Sequence, residues 1–165
     1  MDLKEKVTSL FHMRGAMIFE FFSPGIPIIL KNAGCEFVIF DMEHGGMSFE
    51  RFKTLATISN AHKISPLIRI PEVSYNYIAR ALDLGASGIM APMVNNAEDA
   101  LKIVHSSKYP PVGKRGAGFG FAHDNYINDN PISYIKKANN SLINIIQIET
   151  KKGLDNVKEI ASIKG

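Results

Sequence analysis

The chain has 165 residues, 45% hydrophobic and 21% charged, a balance typical of a globular domain with a sizeable core. The net charge of +3 comes from scattered lysines and arginines whose longest runs are pairs such as Lys136-Lys137 and Lys151-Lys152, which argues against a nucleic-acid footprint. No apolar run approaches the length of a membrane span, and the opening Met1-Asp2-Leu3-Lys4-Glu5-Lys6 has no apolar signal region. Cys35 is the single cysteine, so no disulfide framework exists; a buried thiol in a reducing, cytoplasmic setting is expected.

In chain order, strands are predicted at Met17–Phe22, Phe37–Phe40, Pro66–Ile70, Gly88–Met93 and Leu142–Ile148. Amphipathic segments lie between them at Pro24–Ala33, Ser48–Ala61, Ser74–Leu84, Ala97–Ser106 and Pro131–Ala138. A last helix is expected over Gly153–Lys164. Ser48 and Ser74 suit N-caps, and Pro131 suits a first helical turn. Small-residue turns such as Asn32-Ala33-Gly34 and Leu84-Gly85-Ala86 stop a helix just before the next strand. Near-continuous apolar strands alternating with helices point to a parallel sheet. No linker or low-complexity tract divides the chain, so residues 1–165 read as one domain.

Polar residues collect at the same end of successive strands. Strand one carries Glu20; strand two Asp41, Glu43 and His44; strand three Arg69; strand four Pro92-Met93; strand five Gln147 and Glu149. In parallel α/β folds the carboxyl ends of the strands are where ligands bind, and a barrel would gather these ends into one pocket. About five βα units are present, against about eight in a closed barrel. The expected fold is therefore α/β, of the TIM (β/α)8-barrel type and incomplete.

Each candidate residue has a chemical reason. His44 supplies a base near neutrality, with Asp41 expected to orient its ring. Arg69 stands within Leu67-Ile68-Arg69-Ile70, and a buried guanidinium needs a partner. A substrate carboxylate or enolate would serve, as would an internal pair with Glu20 or Asp41. Gln147 and Glu149, two apart, share a strand face. Glu43 could orient a loop, bond a water, or do nothing catalytic. The run Gly113-Lys114-Arg115-Gly116-Ala117-Gly118-Phe119-Gly120 is rejected as a phosphate loop, since it neither follows a strand nor opens a helix. His123, just after it, is expected at a surface or interface.

Several segments occur in the order seen in one family: Val38-Ile39-Phe40-Asp41-Met42-Glu43-His44-Gly45, Pro66-Leu67-Ile68-Arg69-Ile70-Pro71, Leu82-Asp83-Leu84-Gly85-Ala86, Ala91-Pro92-Met93-Val94, Tyr109-Pro110-Pro111-Val112-Gly113-Lys114-Arg115-Gly116 and Ile146-Gln147-Ile148-Glu149-Thr150. Together they resemble the HpcH/HpaI family of metal-dependent pyruvate aldolases, over nearly the whole chain. The resemblance implies a carbon–carbon lyase cleaving a 4-hydroxy-2-oxo acid to pyruvate and an aldehyde, with a divalent cation (Mg, Mn or Co).

It further implies His44 with Asp41 as the base, and Arg69 as the group stabilising the enolate. Gln147, Pro92 and Met93 would line the substrate site. Glu149 would be a metal ligand, and Asp83 would lie near a subunit interface. The family's second carboxylate ligand follows the next strand in a Gly-Pro-x-Asp-Leu-type motif, and the chain stops just before that place; the resemblance is to a truncated member. Full-length family members form homo-oligomers, whereas five strands leave an unpaired edge and uncovered apolar surface, so this chain is expected to be poorly soluble or to associate in some non-family way. Two alternatives stand beside this reading: a lyase acting on citramalyl-CoA or malyl-CoA, and an inactive remnant or assembly partner.

Overall fold

The structure is a computed structural model and describes residues 2–9, 12–127 and 130–165. Among them, five strands form one parallel sheet in sequential order. They are β1 (Gly15–Ile18), β2 (Phe37–Asp41), β3 (Ser65–Arg69), β4 (Gly88–Ala91) and β5 (Ile143–Ile146). The helices are α1 (Leu3–Thr8), α2 (Ile26–Asn32), α3 (Phe49–Ala61), α4 (Tyr75–Asp83), α5 (Ala97–Ser107), α6 (Pro131–Ser141), α7 (Lys151–Asp155) and α8 (Val157–Ser162). Strand order equal to chain order is what a barrel wall requires; a doubly wound sheet would reverse direction at a switch point.

Side-chain alternation divides the sheet into two faces. Val38, Phe40, Ile68, Ile70, Ile89 and Ala91 join Phe52 and Leu55 of α3, Ile78 and Leu82 of α4 and Ile103 of α5 in the main core. Ile39 and Leu67 point to the other face, where Met17, Phe37, Met90, Ile143 and Ile145 are only partly buried. That second face corresponds to a barrel interior.

Several boundaries differ from expectation. β1 spans Gly15–Ile18, so Phe19, Glu20 and Phe21 leave the sheet, and Phe21 takes a left-handed φ of 59°. At the start of β1 the Phe37 ring packs over Gly15, where a Cβ would fall 2.2 Å from the ring unless the ring moved aside. The predicted last helix is two: α7 capped by Thr150, then α8, with Asn156 between them. Asn156 Nδ2 donates to Asn95 O at 2.8 Å, which fixes the break. Helix α1, closed by a reciprocal capping box between Asp2 and Glu5, was not foreseen. Ser48 and Ser74 cap α3 and α4 as expected. The glycine-rich run carries no strand or helix and leads into a 3-10 turn at Ala122–Asp124.

Candidate functional site

Register places the key residues side by side. Asp41 pairs with Arg69 across β2 and β3, Arg69 with Met90 across β3 and β4, and Met90 with Ile145 on β5. Gln147 continues the β5 ladder, its N–H donating to Ala91 O at 3.0 Å. The polar side chains at this edge therefore share one end and one face.

The centre is Arg69, whose side chain is 9% exposed. Its Nε donates to Asp41 Oδ1 at 2.5 Å, and its Nη1 lies 3.1 Å from Glu43 Oε2. Nη2 is buried and has no hydrogen-bond partner. The Asp41 hydrogen bond raises the Arg69 pKa against the desolvation that would lower it, and the charges of Asp41, Glu43 and Glu149 add to the rise. Asp41 is fully buried. Burial alone would raise its pKa, but the Arg69 hydrogen bond, the His44 N–H, the Arg69 charge and the Glu43 N–H together hold it below the ordinary carboxylate value.

The expected contact between Asp41 and the His44 ring is corrected. Asp41 accepts the His44 backbone N–H at 2.9 Å and the Glu43 N–H at 3.3 Å, an arrangement that folds the strand end into a turn. With its oxygens taken by Arg69 and these amides, Asp41 does not orient the imidazole. The ring's carboxylate neighbour is Glu43, at 3.7 Å from Nε2 to Oε2, and the His44 side chain is 68% exposed. Glu43 thus lies between the guanidinium and the imidazole.

On the far side, Glu149 Oε1 accepts the Met93 N–H at 2.7 Å and its Oε2 accepts from Gln147 Nε2 at 3.3 Å. Met93 adopts a left-handed φ of 55°, which turns its amide toward this carboxylate, and Pro92 beside it is buried. Asn95 ties the two loops together through hydrogen bonds to Thr150, Met93 O and, by its own carbonyl, Asn156. Gln147 Oε1 is buried without a partner. A carboxylate beside a bare amide oxygen is a hard-oxygen donor set that fits Mg²⁺ or Mn²⁺ completed by water and substrate. Among the described residues, no group of three His, Cys, Asp or Glu side chains encloses a metal.

Other candidates fall elsewhere. Glu20 is exposed in the loop after β1, and it is Phe19 whose ring lies 5.4 Å from the Arg69 guanidinium. Phe19 carried no chemical signal in the sequence, because an aromatic at a strand end reads as core. Asp83 ends α4 at the opposite edge of the sheet and takes Arg115 Nη2 at 2.6 Å, so this chain does not bring it to the cluster. His123 packs edge-on against Tyr134, and Cys35 is a half-buried free thiol.

The description of the HpcH/HpaI aldolase/citrate lyase family matches residues 21–165. The chain belongs to that family. It is 31% identical over 145 residues to the hydroxypyruvate/pyruvate aldolase of Roseovarius nubinhibens, covering 88% of this chain and 56% of that protein. The 4-hydroxy-2-oxo-heptane-1,7-dioate aldolase of Escherichia coli is 30% identical over 137 residues, 83% of this chain and 52% of its own. In structure, the HpcH/HpaI aldolase from Desulfitobacterium hafniense DCB-2 superposes with a TM-score of 0.92 at 31% identity, over 97% of this chain and 61% of that one. The chain spans about half the length of the curated relatives it matches, and its five parallel strands are consistent with an incomplete fold of the TIM-barrel type.

Proposed function

We propose that this chain carries the substrate-activating part of an aldolase site that cleaves a 4-hydroxy-2-oxo acid to pyruvate and an aldehyde. The observation that carries the reading is Arg69 Nη2, a buried donor with no partner at the mouth formed by Asp41, Glu43, Gln147 and Glu149. A guanidinium that is already neutralised on two sides and still has a free N–H suits an oxygen on which negative charge grows during reaction.

His44, exposed at the rim, takes the proton from the C4 hydroxyl, directly or through water. The electron pair left on the C4 oxygen forms the second bond of the aldehyde carbonyl, the C3–C4 bond breaks, and its electrons move into the pyruvate enolate. Arg69 stabilises the enolate oxygen, while Asp41 and Glu43 hold the guanidinium in place. The proton returns to C3, so atoms and charge balance. Glu149, with the bare Gln147 amide oxygen beside it, would hold a divalent cation, which supplies Lewis-acid polarisation of the 2-oxo group when bound. Pro92 and the Met93 amide shape the wall beside Glu149.

The test is pyruvate release from a 4-hydroxy-2-oxo acid with Mn²⁺, with citramalyl-CoA and malyl-CoA as parallel substrates. Arg69→Lys is expected to reduce kcat by about 10²- to 10³-fold, since lysine loses the planar fork. Release from the thioesters alone would transfer the reading to the CoA lyases of the family. A second reading, an inert fragment or assembly partner, has support in the shortage of carboxylate ligands among the described residues. A folded chain that gives no Mn²⁺ heat in calorimetry would favour it. We place the protein in a reducing, cytoplasmic compartment, on its single cysteine, and a full-length member in a homo-oligomer. Among the described residues no helix is long and apolar enough to cross a membrane.

A further inference from the structure

The end of the sheet opposite the candidate site carries a second cavity, of about 350 Å³, at the amino ends of β2, β3 and β4. Lys6, Lys31, Lys63 and Lys137 line it, with Ser65, Ser87 and Ser141 and the acids Asp2 and Glu36. Each acid has a partner of its own. Asp2 caps α1 by accepting the Glu5 N–H at 2.8 Å, and Glu36 pairs with Lys6. Lys31, Lys63 and Lys137 stand in no ion pair among the described residues; Lys31 Nζ donates only to the Lys63 carbonyl, at 3.0 Å.

Three ammonium groups outside any salt bridge face one concave space in which lysines outnumber carboxylates, each brought there by a different element: the end of α2, the turn after α3, and α6. Ser65 sits on the inner face at the first residue of β3 and Ser87 just ahead of β4; their hydroxyls make no hydrogen bond among the described residues.

We propose that this cavity binds a compact multivalent oxyanion of the phosphate or polycarboxylate class, held by Lys31, Lys63 and Lys137 with hydroxyl donors from Ser65 and Ser87. Lysine acts there as a point charge, so the site selects charge density over shape. Such a ligand would tie α2, the α3–β3 turn and α6 to one another, far from Arg69, and binding would therefore register as stabilisation. The site is independent of the aldolase reading.

Pyrophosphate and citrate are the probes, each titrated by calorimetry and thermal unfolding against sodium chloride of equal ionic strength. Pyrophosphate binding near 1:1 with a raised Tm identifies the phosphate class, and citrate alone the polycarboxylate class. Lys63→Gln and Lys137→Gln, both on exposed side chains, are each expected to weaken binding by roughly five- to tenfold. Lys152→Gln on the distant α7 should leave it unchanged. No shift beyond the chloride control, equal losses with Lys152→Gln, or binding of heparin with neither small anion would overturn the proposal.

Discussion

Replacing Asp41 with asparagine tests the arrangement on which the site rests. Asp41 is fully buried, and its carboxylate meets Arg69 Nε at 2.5 Å and two turn amides at 2.9 and 3.3 Å. Asparagine is nearly the same size, so no cavity opens. It removes the charge and presents an NH₂ group where N–H donors already converge. Removing one partner of a buried ion pair costs about 3–5 kcal/mol. Glu43 remains 3.1 Å from Nη1 of Arg69, which moves the expectation to the lower end, about 3 kcal/mol. For a chain of this size that is a fall in Tm of roughly 6–12 °C.

The pH dependence carries a sign. The folded pKa of Asp41 is depressed, so the stability it contributes is fully present above the unfolded value of about 3.9 and is lost as pH falls through the lower folded value. Urea unfolding of both proteins from pH 7 to pH 3 should show a gap that is constant down to about pH 5 and narrows below about pH 4. A gap under about 1 kcal/mol at pH 7, or one that does not narrow in acid, would refute the reasoning.

Three further outcomes are expected. Gly45→Ala places a Cβ 2.6 Å from Phe19 O and 2.9 Å from Asp41 O, both backbone, and should destabilise the chain by about 1–3 kcal/mol in denaturant titration. Lys108 has a folded pKa of about 8 against 10.5, so the unfolded chain binds more protons between those values and stability should rise across pH 8–10.5. Lys108→Met should lose that rise in urea midpoints. Glu149→Gln keeps an acceptor for the Met93 N–H, so far-ultraviolet circular dichroism should not change, while Mn²⁺ affinity by calorimetry should fall at least about tenfold.

Much was legible in the chain itself. Apolar runs ending in charge, broken by small-residue turns, determine parallel strands and covering helices, because a strand buried on both faces cannot be polar until it leaves the sheet. Period-two spacing put Gln147 and Glu149 on one side, and the isolated Arg69 in an apolar run announced a buried charge that needed a partner. Tertiary structure alone decided which partner. Asp41 could have faced the His44 ring, but cross-strand register sets it opposite Arg69, and the tight turn brings the Glu43 N–H to the same oxygen and the His44 N–H to the other. Glu20 was lost from the site and Phe19 gained by it because β1 ends at Ile18, in a register that pairs Gly15 with Phe37, a contact between segments far apart in the chain. Local pattern sets which residues are buried. Pairing across strands sets which charges meet, and no single segment contains that information.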